Sequence, residues 1–350
     1  MQVALLSASL TTINLELLQN LSKKFICKNS ASVAILTFRE QKANILEALK
    51  NSFEDTSDVD QKGLDVASST EVLDFLAKVL TPPKECTKLY RKCCDIAKTS
   101  GDKKRYADSL NSLGFRRLCD VSHSKHDREG SRVTLGMFQE AYDIRRTLPR
   151  GGTESVRRMR TPSGDEEKGR ALIKKGISMR MDLGVALYVA AGHCDLGNTY
   201  RLCGDHQTAI DIWLMNTLPV YKQELGDHPW TASILHYIGD SYKALAIGNS
   251  EHGYAEQAEM YFREALELRR RLLGVHQDTA RSHVFLSDVL VIRGEFKSAL
   301  EELEKALEIQ KDVLGPQHKI TSDTLDKITK CAGETGCKEE AKERRKEMSE

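Results

Sequence analysis

In the C-terminal half of the chain, apolar residues recur three and four positions apart, which is the pattern of amphipathic helices. Two segments share the same order of small and large apolar residues, namely Ala258, Phe262, Ala265 and Leu266, and Ala299, Leu303, Ala306 and Leu307. Each segment follows another segment with a helical pattern, so the repeating unit is a pair of amphipathic helices. The pattern therefore predicts an all-α fold built from helix pairs.

A short cassette containing Leu-Gly, a histidine and a threonine precedes the first helix of each pair. It occurs three times, as Leu225, Gly226, His228 and Thr231, as Leu273, Gly274, His276 and Thr279, and as Leu314, Gly315, His318 and Thr321. A Leu or Ile inside the first helix recurs at a similar interval. Leu196 and Ile238 are 42 residues apart, and Leu286 follows 48 residues later because an insertion separates the two helices of that pair. Recurrence of this kind predicts a solenoid of stacked repeats.

These residues resemble the tetratricopeptide-repeat family, and in particular the long repeats of kinesin light chains and nephrocystin-like proteins. The linkers of those proteins share L-G-x-x-H-P with the segment LGDHPWTA, which runs from Leu225 to Ala232. The resemblance implies a right-handed solenoid of paired antiparallel helices. Its repeats are about 42 residues long, whereas the standard repeat has about 34 residues.

Three regions are predicted along the chain. Residues 1–84 form an N-terminal, mostly helical region, residues 85–333 form the repeat array, and residues 334–350 form a charged tail. Within the array the repeats are degenerate before residue 185 and clear from 190 to 330, and a charged, glycine-containing loop occupies 149–168.

The N-terminal region departs from the repeat pattern. Glu71 to Leu80 is predicted as a helix that follows a Ser69-Thr70 cap, whereas Val33 to Phe38 contains strand-forming residues. The order of helix, short hairpin around Lys28-Asn29-Ser30, and helix resembles the winged-helix tail of signal-transducing nucleotide switches. In such proteins helical repeats follow the tail.

The charge balance and the cysteine content indicate which kinds of partner and which cell compartment to expect. The chain has 52 Lys and Arg against 51 Asp and Glu, so it lacks the one-signed field that draws in nucleic acid or an anionic membrane surface. Nine cysteines show neither a disulfide framework nor zinc spacing, and no apolar stretch is long enough to span a membrane. We therefore expect a cytoplasmic protein that binds neither nucleic acid nor membrane.

Motifs for catalysis are missing from the sequence. It contains no phosphate-binding P-loop, no nucleophile elbow and no H-E-x-x-H, so we expect no enzymatic activity, no cofactor and no metal. His228, His276 and His318 could suggest a metal site, but each lies in its own linker, and a role at a helix end is favoured. Thr231 and Thr279 are predicted to cap the helices that follow them.

The adjacent pair Cys93-Cys94 has two interpretations. It lies on a helix that carries lysine and arginine, which could lower a thiol pKa. No resolving cysteine is near in sequence, so packing inside the protein is favoured over reactivity.

Candidate binding residues follow from the resemblance. In the family the first helices line a groove, and the residues facing a ligand lie two and five positions before and after a Leu inside the first helix. The corresponding residues here are Leu113, Leu196, Ile238 and Leu286. The polar residues at these positions are Asn111, Asn198, Arg201, His236, Asp240, Lys243, Arg281 and Asp288. Together they could pair with an extended segment that carries acidic and amide groups, and a merely solvated set of helix faces is the alternative.

One feature of kinesin light chains is only partly retained. They carry an asparagine two residues before that Leu, where it holds the backbone of an extended peptide. This sequence keeps the asparagine at Asn111 alone and has Cys194, His236 and Val284 at the corresponding positions. The cargo of the family therefore does not transfer directly to this chain.

A basic loop lies between Arg145 and Arg160, with six arginines against one glutamate. It could bind an acidic partner or act as an import signal, and a plain disordered loop is the favoured alternative. Thr161 and Ser163 follow the arginines in the form of a phosphorylation site.

The sequence as a whole predicts a non-enzymatic scaffold or adaptor that binds a peptide or helix of a partner protein in the groove of its repeats. The alternative is the C-terminal sensing or autoinhibitory arm of a signal-transducing nucleotide-switch protein of the innate-immunity type. In that case the nucleotide domain is not in this chain.

Overall fold

The computed structural model describes residues 2–54, 65–66, 69–80, 83–121, 184–248 and 253–335, together with isolated positions between 133 and 181. All regular structure within these residues is helical, which confirms the predicted all-α fold. The chain divides into two compact units, Met1–Asp195 and Leu196–Glu350. The predicted boundaries at residues 84 and 333 stay predictions.

The N-terminal unit begins with two long helices. Its helices are α1 (Gln2–Phe25), α2 (Ala31–Glu54), α3 (Thr70–Val79), α4 (Pro83–Thr99), α5 (Lys103–Val121) and the first part of α6 (Ala186–Leu202). The rings of Phe25 and Phe38 lie 5.2 Å and 5.4 Å from the ring of Phe75, so aromatic contacts join α1 and α2 to α3. The Ser69 hydroxyl accepts a hydrogen bond from the Val72 N–H at 3.4 Å, which confirms the predicted cap of α3.

The predicted strand at Val33 to Phe38 is wrong, because this segment lies inside α2. The buried apolar residues of α2 are Ala31, Ala34, Ile35, Phe38, Ile45, Ala48 and Leu49. Their spacing of three, four and seven residues suits a helix, and packing along this face overrides the strand propensity of Val33 and Ile35. The predicted hairpin at Lys28 to Ser30 is a turn between helices, in which Asn29 adopts a left-handed φ of 56°.

The C-terminal unit consists of helices that pair in the order of the sequence. After α6 come α7 (His206–Ile212, Trp213–Thr217 and Leu218–Glu224), α8 (Pro229–Gly248), α9 (Tyr254–Leu273), α10 (Gln277–Ile292), α11 (Phe296–Leu314) and α12 (Lys319–Thr335). We call α6, α8, α10 and α12 the first helices, and α7, α9 and α11 the second helices. The starts of α8, α10 and α12 are 48 and 42 residues apart.

Helix α7 contains a π-helical stretch, Trp213–Thr217, in its middle. The Leu218 N–H bonds to the carbonyl of Trp213, five residues earlier, where an α-helix would use the residue four before. Pro219 follows directly and has no N–H to donate, and its ring would crowd a carbonyl of the preceding α-helical turn. The π stretch accommodates this proline without ending the helix.

Glycines in the first helices allow the second helices to approach closely. A Cβ atom added to Gly197 would overlap the Trp213 indole, and one added to Gly239 would lie 2.9 Å from the Phe262 ring. Trp213 and Phe262 are fully buried. The recurring Leu-Gly or Ile-Gly of the sequence therefore marks the place where a large aromatic side chain contacts the backbone of the first helix.

Each linker histidine caps the first helix that follows it. The Nδ1 atoms of His228, His276 and His318 accept hydrogen bonds from the backbone N–H two residues later, at 3.0 Å, 3.0 Å and 3.2 Å. The predicted role at a helix end is confirmed, and the cap itself is the histidine.

The predicted caps at Thr231 and Thr279 are wrong. Thr231 is already the third residue of α8, and its hydroxyl donates to the Gly226 carbonyl at 3.2 Å. Thr321 makes the same bond to the Gly315 carbonyl at 2.9 Å, whereas the Thr279 hydroxyl has no hydrogen-bond partner in the part of the chain described. Thr231 and Thr321 therefore brace the linker from inside the helix.

Candidate functional site

Five charged residues of the first helices form a line of ion pairs that we call the charge ladder. It consists of Arg201 in α6, Asp240 and Lys243 in α8, Asp288 in α10 and Lys327 in α12. Because each ion pair but one joins two neighbouring first helices, the ladder defines a common face of the C-terminal unit. This face is the candidate site.

Alternation of sign along the ladder leaves each carboxylate between two cations. Asp240 lies 3.0 Å from Arg201 Nη1 and 3.3 Å from Lys243 Nζ. Asp288 lies 3.5 Å from Lys243 Nζ and also pairs with Lys327. Four of the predicted ligand contacts, Arg201, Asp240, Lys243 and Asp288, are therefore brought together, and they bind one another.

Asn198 belongs to the same arrangement. Its side-chain oxygen accepts hydrogen bonds from Arg201 Nε at 3.1 Å and from Nη2 at 2.9 Å, and the residue is buried. The amide thus holds the guanidinium at the angle from which Nη1 reaches Asp240. In this structure Asn198 positions a ladder residue.

Aromatic rings support two of the ladder cations. Arg201 Cζ lies 5.6 Å from the centre of the Tyr237 ring, and Lys243 Nζ lies 4.1 Å from the centre of the Phe285 ring. Tyr237 and Phe285 occupy the same position in α8 and α10, nine residues after the capping histidine. Each cation is therefore held between a ring and a carboxylate of the next first helix, and cation–ring contacts of this kind contribute about 0.5–2 kcal/mol.

Lys327 is a site residue that the sequence analysis missed. It stands nine residues after His318, so it occupies the position of Tyr237 and Phe285 in the last first helix. This position comes directly before the Leu or Ile landmark of a first helix, as in Ile238 and Leu286, and it is not one of the positions that face a ligand in the family. The resemblance therefore could not identify Lys327.

Arg281 differs from the ladder cations because it lacks an anionic partner. Its Cζ atom lies 5.4 Å from the centre of the Phe285 ring, the ring on which Lys243 also lies. Its Nε atom is buried without a hydrogen bond, and within the described ranges no carboxylate lies at ion-pair distance from its guanidinium. A half-buried guanidinium in this state retains an unused capacity to bind a carboxylate.

His236 lies beneath this part of the face and is only 1% exposed. Its ring centre is 4.6 Å from that of Phe285 and 5.2 Å from that of Phe262, and neither ring nitrogen has a hydrogen-bond partner among the described residues. Burial lowers its pKa well below the usual value, and the cations Arg269, Arg281 and Lys243 lower it further. His236 is therefore held as a neutral imidazole.

Several predicted residues lie outside the described residues. These are the side chain of Asn111, the basic loop from Arg145 to Arg160, and the phosphorylation candidates Thr161 and Ser163. Their proposed roles stay predictions.

Cys93 and Cys94 can be placed, and both side chains are buried. Burial, with the nearby carboxylates Asp95 and Glu140, raises the pKa of Cys94 to about 12. A reactive thiol would need a lowered pKa, so the packing interpretation of this pair is confirmed.

Two other kinds of feature are missing from the described residues. No three His, Cys, Asp or Glu side chains gather there in a group that could hold a metal ion. Among the helices that the structure describes, none combines the length and apolar character required to cross a bilayer.

Comparison with known proteins agrees with the helix pairs. Residues 253–312, which run from the start of α9 through most of α11, match the family model of the tetratricopeptide repeat. The C-terminal unit is therefore a helical repeat protein of paired helices. Residues 253–312 carry the tetratricopeptide-repeat pattern that the sequence predicts.

Solved structures with similar folds share low sequence identity with this chain. BtubC (BKLC) from P. vanneervenii has a TM-score of 0.48 and 18% identity, and the alignment covers 71% of this chain and 91% of that protein. The tetratricopeptide-like repeats of a putative kinesin light chain from Podospora anserina have a TM-score of 0.45 and 17% identity, with coverage of 53% and 86%. No curated protein sequence matches the chain.

A signal-transduction ATPase with numerous domains from Pyrococcus horikoshii, which has a tetratricopeptide-repeat sensor, is also similar. Its TM-score is 0.44 and its identity 15%, and the alignment covers 92% of this chain and 56% of that protein.

Proposed function

We propose that the first-helix face of the C-terminal unit binds an extended, acidic segment of another protein, and that the chain acts as a non-enzymatic adaptor in the cytoplasm. The observation that carries this proposal is the state of Arg281. The ladder cations Arg201, Lys243 and Lys327 each pair with a carboxylate, whereas Arg281 has none in the part of the chain described.

An acidic side chain or a terminal carboxylate of the ligand would form the ion pair that Arg281 lacks among the described residues. The guanidinium is already partly desolvated and lies against a ring, so less of its hydration is lost when a ligand arrives. A hydrogen-bonded charge contact of this kind contributes about 1.5–3 kcal/mol. One such anchor gives direction to an extended segment, and further contacts along the face would supply the rest of the affinity.

The charge ladder has a different part in this proposal. Its members neutralise one another, so they offer a ligand little net charge, but they fix the spacing of α6, α8, α10 and α12. We therefore assign Asn198, Arg201, Asp240, Lys243 and Asp288 to positioning the face, and Arg281 to direct contact.

A comparative pull-down tests the proposal. The full-length chain, Arg281→Gln and the matched control Arg270→Gln are used as baits, and the recovered proteins are quantified by mass spectrometry. Arg270 is a suitable control because it is 68% exposed on a second helix and, among the described residues, pairs only with Glu267, at 3.2 Å. Loss of a set of proteins with Arg281→Gln alone supports the proposal, and identical recovery with all three baits contradicts it.

The same experiment separates the adaptor from the sensing arm predicted as the alternative. If the chain is an adaptor, it should recover several unrelated proteins that each carry an acidic segment. A sensing or autoinhibitory arm would recover one nucleotide-binding domain, and its recovery would also depend on Arg281.

A further inference from the structure

Packing alone does not explain the imidazole of His236. The corresponding positions of the neighbouring first helices hold Cys194 and Val284, which are small or apolar. A buried imidazole with two unpartnered nitrogens costs free energy that an apolar side chain would avoid. This position therefore holds a titratable group, although an apolar side chain of similar size would be enough to fill the space.

The surroundings of His236 are mostly cationic. Arg269 of α9, Arg281 of α10 and Lys243 of α8 itself face it, and among the described residues Asp278 of α10 is the carboxylate that acts on its charge. Arg269 is committed to the Ser282 hydroxyl at 2.7 Å and to the Asp278 carbonyl at 3.2 Å, and Lys243 belongs to the charge ladder.

Arg281 is the member of this cluster that can accept a new anion. The guanidinium of Arg281 and the imidazole of His236 both contact the Phe285 ring, at 5.4 Å and 4.6 Å from its centre. An anion bound at Arg281 would therefore act on His236 past the Phe285 ring, through a medium of low polarity.

We propose that binding of a carboxylate at Arg281 is coupled to the uptake of one proton by His236, so that mildly acidic solution strengthens binding of acidic segments. The bound carboxylate offsets the repulsion from Arg269, Arg281 and Lys243. A proton from solvent then converts the neutral imidazole to imidazolium, the carboxylate stays ionised, and no covalent bond other than the new N–H changes. This inference rests on the proposed function and concerns the regulation of the same site.

The coupling predicts the direction in which the binding affinity changes with pH. If the complex takes up a proton that the free protein lacks, the affinity rises as the pH falls, by up to about tenfold per pH unit. Glutamate side chains lose negative charge toward their ordinary pKa of about 4.3, so binding without coupling would stay constant or weaken over the same interval. Tighter binding at lower pH that is lost in His236→Gln is therefore specific to the proposed coupling.

The test uses the full-length chain and two peptides, acetyl-tetraglutamate amide and its neutral counterpart acetyl-tetraglutamine amide. Calorimetric titration at about pH 7.5 and about pH 5.5 should show tetraglutamate binding at least about threefold more tightly at the lower pH. Titration in two buffers of different ionisation enthalpy should show proton uptake for tetraglutamate only. His236→Gln keeps a polar side chain that cannot titrate, so it should bind tetraglutamate without this tightening.

A second measurement on the wild-type protein does not depend on how the variant folds. The imidazole nitrogen shifts of His236 should change from neutral to imidazolium values when tetraglutamate is added at about pH 6. A neutral His236 in the complex, or equal tightening in His236→Gln and wild type, overturns the coupling and leaves the proposed function standing. Failure to distinguish tetraglutamate from tetraglutamine overturns the coupling as well, and the pull-down with Arg281→Gln then decides separately whether the face binds proteins.

Discussion

Lys243 lies 3.3 Å from Asp240 of its own helix and 3.5 Å from Asp288 of the next first helix, so one ammonium group serves two carboxylates. Only 15% of its side chain is exposed, and the ring of Phe285 covers part of it. This relationship makes Lys243 the centre of the charge ladder.

Replacing Lys243 by methionine should therefore destabilise the C-terminal unit. We expect a loss of about 1–2 kcal/mol in the free energy of unfolding, because two partly buried carboxylates lose a cation. The control Lys222→Met removes an exposed pair with Glu264 and should cost about 0.5 kcal/mol or less. Urea unfolding followed by tryptophan fluorescence measures both, since Trp213 and Trp230 are the two tryptophans of the chain and lie in this unit. Equal losses for the two variants would contradict a central role for Lys243.

A methyl group added at Gly197 should separate α6 from α7. Gly197→Ala places a Cβ atom on the Trp213 indole, and we expect a cost of about 1–3 kcal/mol. Gly248→Ala is the matched control, because no described residue lies within 4 Å of its added Cβ atom and alanine favours a helix. Tryptophan fluorescence should shift in Gly197→Ala alone, and unchanged stability of that variant would show that the helices can separate at little cost.

The histidine caps predict a graded effect at position 276. His276→Ala should lower the free energy of unfolding by about 1 kcal/mol, because the Asp278 N–H loses its acceptor. His276→Asn should lose less, since asparagine is among the best N-terminal caps of helices. The same unfolding measurement compares the two variants. If asparagine were no better than alanine, the hydrogen bond would contribute little and the packing of the ring would be the cause.

Acid should destabilise the C-terminal unit through His236. Burial lowers the pKa of this histidine in the folded state, whereas in the unfolded chain it stays near the ordinary value of about 6.5. The unfolded state therefore binds the proton first, so the contribution to stability is present above about pH 6.5 and is lost as the pH falls below it. His206, whose pKa burial also lowers, acts in the same direction.

The variant His236→Gln separates the contribution of His236 to this pH dependence from that of other histidines. Between about pH 6.5 and pH 5, the free energy of unfolding of the wild type should fall more steeply than that of the variant, by at most about 1.4 kcal/mol per pH unit. Urea midpoints at several pH values measure the two slopes. Parallel slopes would mean that the folded and unfolded states bind the His236 proton equally, so that burial does not lower its pKa.

The sequence by itself determined the features that each repeat contains within its own residues. Helical spacing of apolar residues and the recurring linker histidine are local patterns, and each appeared in the structure where it was predicted. The strand predicted at Val33 to Phe38 failed for a related reason. Strand propensity is a property of single residues, whereas the helix forms because the spacing of Ala31, Ala34, Ile35 and Phe38 lets them pack along one face.

Tertiary structure alone decided which of the candidate residues bind one another and which stay free. Arg201 and Asp240 are 39 residues apart, and their pairing depends on how far one first helix is shifted along the next, a distance that no single repeat encodes. The same shift buries His236 beneath Phe285 and leaves Arg281 without a carboxylate among the described residues. Periodicity fixes the helices because it is a property of one segment, whereas charge pairing and burial are properties of two helices placed side by side.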